Sequence, residues 1–185
     1  MYRDNSLIPQ EAIRMAALGA LVERRRSYNE VSREVRQFAA RIVGPSLDLL
    51  GTSIELLKLE GLIETVELAT DDSGEILELS DHGLEELKEY LKSNVRSGGS
   101  DLNRLVVALK LRFLTVLDVE EQIEQLISLR DMYEAEKIRL LDLEKQSQWL
   151  SGLLPELIHL EIGVADDRIR WCSDKIDETV SRYSA

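Results

Sequence analysis

Pro45-Ser46-Leu47-Asp48-Leu49-Leu50-Gly51-Thr52-Ser53-Ile54-Glu55-Leu56-Leu57-Lys58-Leu59-Glu60-Gly61-Leu62-Ile63 is the stretch that decides the fold. Leu47, Leu50, Ile54 and Leu57 recur at steps of three, four and three, the signature of a helix with one buried face. Ser46 can accept a hydrogen bond from a free amide of the first turn, and Gly61 can adopt the left-handed backbone that ends a helix. Beyond Gly61 the rhythm changes. Residues 62–68 and 75–79 are short β-branched or alternating runs on either side of Asp71-Asp72-Ser73-Gly74, a turn composition, and predict a two-stranded hairpin.

Working outward, a first helix is expected from Pro9 to Arg24, with Ile13, Ala17, Ala20 and Leu21 as its stripe and Arg24-Arg25-Arg26 at its end, where cations suit the helix dipole. A second follows Ser27, carries Val31, Val35, Phe38 and Ile42, and stops at Gly44-Pro45. Ser80 caps a fourth through Leu84, Leu87, Leu91 and Val95. Three helices, a hairpin and a further helix joined by short connections are the plan of a winged helix-turn-helix domain.

The flexible, polar Ser97-Gly98-Gly99-Ser100 reads as a linker, giving a winged-helix domain over 1–96 and an all-α domain over 101–185. The class is mainly α with one small β-hairpin. In the second part, one helix is expected through Leu102, Leu105, Leu109, Phe113 and Val116, another from Val119 to about Leu150, and a third reopening at Pro155. Ile158, Ile162, Ala165, Ile169, Cys172, Ile176 and Val180 keep a four-three rhythm along the last, the pattern of a coiled-coil seam. Eighty-five residues of such helices have too little shared interior to cover every stripe. The reading is therefore a homodimer, with Phe113, Tyr133, Ile158, Ile162, Ile169, Trp171, Cys172 and Ile176 as dimerisation residues, presenting two recognition helices together.

The 185 residues carry a net charge of −12, which excludes a generally basic nucleic-acid coat. Residues 1–60 balance at +1 and residues 61–185 at −13, and six arginines fall between Arg24 and Arg41, so a local basic face on an acidic chain is available. No apolar run approaches the roughly 20 residues of a membrane span, and the N-terminus precedes no signal-like core. A cytoplasmic protein is expected, and the single cysteine agrees with a reducing compartment. Cys172 lies in the apolar seam and reads as packing. His82 in a turn and an isolated His159 suggest no metal site, and with no phosphate loop, nucleophile elbow or ligand cluster, neither an enzyme nor a cofactor is expected.

Taken in order, Ser46, Leu50, Ile54, Leu57, Glu60 and Gly61-Leu62-Ile63, Tyr28, Leu79-Ser80-Asp81-His82-Gly83, residues 108–114, and Leu160-Glu161-Ile162-Gly163 with Trp171 resemble the PadR-like transcriptional regulators with a long helical C-terminal region. The resemblance implies a dimeric bacterial regulator, often a repressor, that binds double-stranded operator DNA through the winged helix and responds to a small-molecule effector. It makes Tyr28 the opening tyrosine of the second helix. In this chain Glu55-Leu56 occupies the family's usual basic pair and the wing turn carries no cation.

Candidate DNA contacts are Tyr28, Arg33, Arg36, Gln37, Arg41, Ser46, Thr52, Ser53 and Lys58. The arginines of the second helix can grip phosphates or be a solvated face alternating with Glu30 and Glu34. The recognition face lacks Arg, Asn and Gln, the side chains best suited to bidentate base readout. Two functions stay open: a DNA-binding regulator, and a winged-helix dimer that has lost readout and holds a protein partner on its Leu49, Leu56 and Leu59 edge.

Overall fold

A computed structural model of the protein describes residues 6–44, 53–68, 74–96 and 98–183. Helix α1 (Pro9–Leu21) begins with its proline in the first turn, and the Glu11 carboxylate accepts from the Ile8 N–H at 2.8 Å. Its alanine-rich sequence lets neighbours approach on nearly every side: Ala12, Ile13 and all of Met15 to Leu21 are buried. It ends at Leu21, short of Arg24, because the chain turns there and Arg26–Ser27 forms a short strand, β1.

Helix α2 (Tyr28–Val43) starts with a reciprocal cap, in which Ser27 Oγ accepts from the Glu30 N–H at 3.3 Å and the Glu30 carboxylate accepts from the Ser27 N–H at 3.0 Å. That backbone bond is the main reason the Glu30 carboxyl is held below its ordinary range. Val31, Val35, Ala39 and Val43 form its buried stripe. Helix α3 is described over Ser53–Leu59, with Ile54 and Leu57 fully buried. Its expected start at Pro45-Ser46, with Leu47 and Leu50, lies outside the described residues. Gly61, at φ +72°, closes it: the Leu62 N–H reaches the Leu57 carbonyl at 2.9 Å and the Gly61 N–H reaches that of Lys58 at 3.0 Å.

Strands β2 (Ile63–Leu68) and β3 (Glu75–Leu79) pair antiparallel with Ile63 opposite Leu79, and the register slips by one residue between Thr65 and Glu67. Where the sequence suggests two strands, the sheet has three in the order β1-β3-β2, since Arg26 and Ser27 pair with Leu77 and Ile76. Two residues at the end of an arginine run show no alternation by which to recognise a strand.

Helix α4 (Asp81–Lys92) is tied to this sheet by Ser80. Its Oγ accepts from the Gly83 N–H at 3.0 Å and donates to the Gly61 carbonyl at 2.7 Å, while its own N–H donates to Leu62 O at 3.2 Å. Gly83 lies so close beneath that a Cβ would come within 2.1 Å of the Leu62 carbonyl oxygen. Arg14 joins α1 to both ends of this region through an ion pair with Glu60 and a 2.9 Å hydrogen bond to the Tyr90 hydroxyl.

Helix α5 (Asp101–Arg112), followed by a 3-10 turn at Leu114–Val116, corrects the expected boundary at 97–100. It packs on α1 and α2, and the compact units are Met1–Asn94 with Gly99–Leu117, and Val95–Gly98 with Asp118–Ala185. The Gly/Ser stretch reads as a linker by composition, but Leu105, Val106 and Leu109 of α5 bury themselves in the N-terminal core. Phe113, expected at the dimer seam, belongs there too. Its ring covers Gly19, where a Cβ would stand 2.3 Å from the ring. Lys110, 1% exposed, donates to the Leu91 carbonyl in the last turn of α4 and to that of Ser93 just after it, the second at 2.6 Å.

The other unit is a helical hairpin of α6 (Val119–Lys145) and α7 (Leu154–Tyr183), crossed by Lys137–Asp166 at 2.6 Å and Glu144–His159 at 3.1 Å. Ile158, Ala165, Cys172 and Thr179, seven residues apart, are the buried line of α7. Burial pushes the Cys172 thiol up to about 11, so it stays protonated near neutral pH.

Burial lowers Lys110 from its ordinary 10.5 to about 8. Below pH 8 the folded state therefore bears the full cost of a buried charge, and between 8 and 10.5 it sheds the proton while the unfolded chain keeps it. Denaturant titrations should show the native protein gaining stability relative to Lys110→Met across that window, at up to about 1.4 kcal/mol per pH unit. A difference flat with pH would contradict the burial of a charged amine. Gly83→Ala should cost about 1–3 kcal/mol in the same assay, because backbone must move to admit the methyl group.

Candidate nucleic-acid interface

The amphipathic pattern that buries Val31, Val35 and Ala39 turns Arg33, Arg36, Gln37 and Arg41 outward, and all four are exposed. Among the described residues neither Arg33 nor Arg36 has an ion-pair partner, and Arg41 bonds back to the Gln37 carbonyl at 3.1 Å. Other cations of this unit are engaged: Arg14 with Glu60, Arg25 with Glu78 at 2.9 Å, and Arg26 and Arg112 with Glu34. The structure thus brings together the four α2 candidates as one face with a positive balance.

The remaining candidates do not join it as a cationic surface. Ser46 and Thr52 lie outside the described residues, and Ser53 opens the described part of α3. Tyr28 begins α2, half-buried, its Cβ 3.7 Å from where a Cβ on Gly74 would stand. Lys58 is paired with Glu75 of β3, which also accepts from Thr65 Oγ1 at 3.2 Å. The hydrogen bond from Lys58 holds the Glu75 carboxyl below its ordinary range, and the same bond raises Lys58. Glu55 lies 3.9 Å from the same Lys58 amine, while Leu59 is 83% exposed. This flank is acidic and apolar.

Sequence reasoning missed Arg26, Glu34, Phe38 and Arg112. Arg24-Arg25-Arg26 was expected to end α1. In the structure it lies beyond that helix, and Arg25 and Arg26 face opposite partners. Arg112 stands 78 residues from Glu34, a separation at which spacing carries no information.

Among the dimerisation candidates, Ile158 and Cys172 are covered within the α6–α7 hairpin, Ile162, Ile169 and Ile176 are half-buried, and Tyr133 lies under the Arg168 guanidinium at 5.3 Å. Trp171 is 42% exposed and shares its side of α7 with Leu157 and Leu160, and both these and Leu153, just before the helix, are more than half exposed. That second apolar line, not the regular seam, is the one left open.

Against known proteins, a family model described as putative AphA-like transcriptional regulator matches residues 2–176. The chain belongs to this family of transcriptional regulators. No curated protein matches the sequence. Solved structures similar to the regulator include a PadR-like transcriptional regulator from Bacillus cereus, 17% identical over 92% of this chain and 99% of that one with a TM-score of 0.38. They also include Bacillus subtilis PadR in complex with operator DNA (15% identity, 90% and 98% covered, TM-score 0.36) and with p-coumaric acid (14%, 94% and 98%, 0.37). The expected class of transcriptional regulator agrees with the family model. Proteins of this family act as regulators and not as enzymes. Among the described residues of the regulator, no helix is long and apolar enough to cross a membrane.

The Lys58–Glu75 pair gives a direct check on the acidic flank. In Lys58→Met the Glu75 carboxyl should titrate upward toward its ordinary 4.5, followed by carbon-detected NMR. An unmoved titration would mean that Lys58 is free to meet phosphate.

Proposed function

We propose that this regulator is a homodimeric repressor that binds double-stranded operator DNA, with the outward face of α2 gripping the phosphate backbone. The observation that carries this reading is the cluster of Arg33, Arg36 and Arg41, exposed on one helix face of an otherwise acidic chain. Three guanidiniums on about two helical turns can each meet a backbone phosphate, whereas the cations beside the sheet, Lys58 and Arg25, are already paired with Glu75 and Glu78. Gln37 stands between the arginines. Tyr28, Ser46, Thr52 and Ser53 complete the contact set at the start of α2 and along the recognition helix, and Lys58 contributes only if Glu75 releases it.

Dimerisation supplies the second half of the contact. Leu157, Leu160 and Trp171 on α7, with Leu153 just before it, form an apolar line left exposed, and a second copy of the same line is the partner that buries it. Ile162, Ile169 and Ile176, half-buried beside the line that faces α6, are the other part of the dimerisation set. The double variant Leu157→Glu/Leu160→Glu should convert a dimer to a folded monomer in light scattering. A dimer that survives both charges would place the interface elsewhere.

A second reading rests on Leu59, 83% exposed beside half-buried Leu56 and an acidic sheet: the recognition helix holds a protein partner in place of DNA. Selection from a random duplex library separates the two. Under the first reading a palindromic site is enriched, and Arg33→Ala/Arg36→Ala/Arg41→Ala abolishes enrichment and flattens the dependence of affinity on salt by roughly 0.9 per lost phosphate contact. No enrichment from the folded dimer at low and moderate salt would favour the second.

A further inference from the structure

Arg26 of β1 and Arg112 at the end of α5 both reach the carboxylate of Glu34, midway along α2. The Arg112 guanidinium also lies 4.9 Å from the ring centres of Phe38 and Phe113, so its plane is fixed from below by aromatic carbon. Arg24, Arg33, Gln37 and Arg41 complete the wall of an open hollow of about 530 Å³ in which five arginines face two glutamates. One of these, Glu30, is committed to the Ser27 cap. Arg26 Nε is buried and finds no acceptor among the described residues.

Guanidiniums from two elements, β1 and α5, converge here on a single small anion supplied by a third, α2. A carboxylate has two oxygens, and in this geometry they serve Arg26 and Arg112 without reaching the third donor, Arg26 Nε. A tetrahedral phosphoryl group brings more oxygens and more charge to the same donors, and arginine's planar fork suits it. We propose that the hollow is a phosphoryl-binding site in which Glu34 occupies the place of the ligand and yields it on binding. Arg26 and Arg112 are the principal donors, Phe38 holds Arg112 in plane, and Arg24, Arg33 and Arg41 supply the surrounding field. The phosphoryl group comes either from the DNA backbone or from a free phosphorylated molecule. Its principal donors, Arg26 and Arg112, with Glu34 and Phe38, stand outside the residues assigned to DNA, whereas Arg33, Gln37 and Arg41 of its wall are shared with them.

The test is calorimetric titration of the full-length chain with inorganic pyrophosphate, using the native protein, Glu34→Gln and Arg112→Gln. Glu34→Gln should bind about tenfold more tightly than native, since a competing charge is gone, and Arg112→Gln at least about tenfold more weakly. If Arg112→Gln fails to fold by circular dichroism, the exposed Arg24→Gln replaces it and should weaken binding severalfold. Absence of binding to both native and Glu34→Gln proteins, or equal affinity in all variants, overturns the proposal. Repeating the titration on protein saturated with duplex identifies the source: competition indicates a backbone phosphate, and simultaneous binding indicates a free molecule. Pyrophosphate binding by a protein that takes up no duplex would sink the operator reading and leave this site standing.

Discussion

The contact between the Phe113 ring and the bare backbone of Gly19 is the constraint on which the N-terminal unit depends. Any side chain at position 19 would overlap the ring, so α1 can accept α5 only because that position is glycine. Burying a phenylalanine there is worth on the order of 2 kcal/mol, and it sets the helix down in one place. Lys110, one turn earlier, adds two hydrogen bonds to carbonyls at the C-terminal end of α4. With α5 so fixed, the residue preceding Phe113 has its position decided as well: Arg112 lands on Phe38 and Glu34 of α2. A packing requirement thereby delivers a cation to a helix face far away in sequence.

The second organising feature is how the charges are divided. A chain of net charge −12 can meet DNA only if its cations are gathered and its anions kept away. In the N-terminal unit most cations are spent on internal ion pairs that hold elements together, such as Arg14 with Glu60 and Lys58 with Glu75. Arg33 and Arg36 are not. On the proposed reading, the cationic α2 face, and not the acidic sheet, is the side turned toward a duplex.

Much of the fold was legible wherever a local rule fixes the backbone. Ser27 and Ser80 cap the helices that follow them, Gly61 ends α3 at positive φ, and the alternation after it gives β2 and β3, whereas Ser100, read as linker, caps α5. These signals act within a few residues. What could not be read depends on contacts between distant segments. β1 is a strand only because β3 lies beside it. The membership of α5 is decided by Gly19 and not by the glycines before it. On α7 the four-three rhythm is real, but Ile158 and Cys172 face α6 while Leu157, Leu160 and Trp171 lie on a different line, a distinction the sequence shows only once one partner helix is in place. The α2 arginines were visible as candidates from their spacing, whereas the Arg26–Glu34–Arg112 cluster needed three elements to meet.

The central claim is that α2, and not the acidic sheet or the leucine edge of α3, carries the affinity for nucleic acid. Following amide and arginine side-chain NMR signals of the labelled protein during titration with the selected duplex tests it most directly. The account predicts that the largest shifts centre on Arg33, Arg36, Gln37 and Arg41 and collapse as salt is raised. Shifts confined to Leu56, Leu59 and the β2–β3 strands, with α2 unmoved, would contradict it.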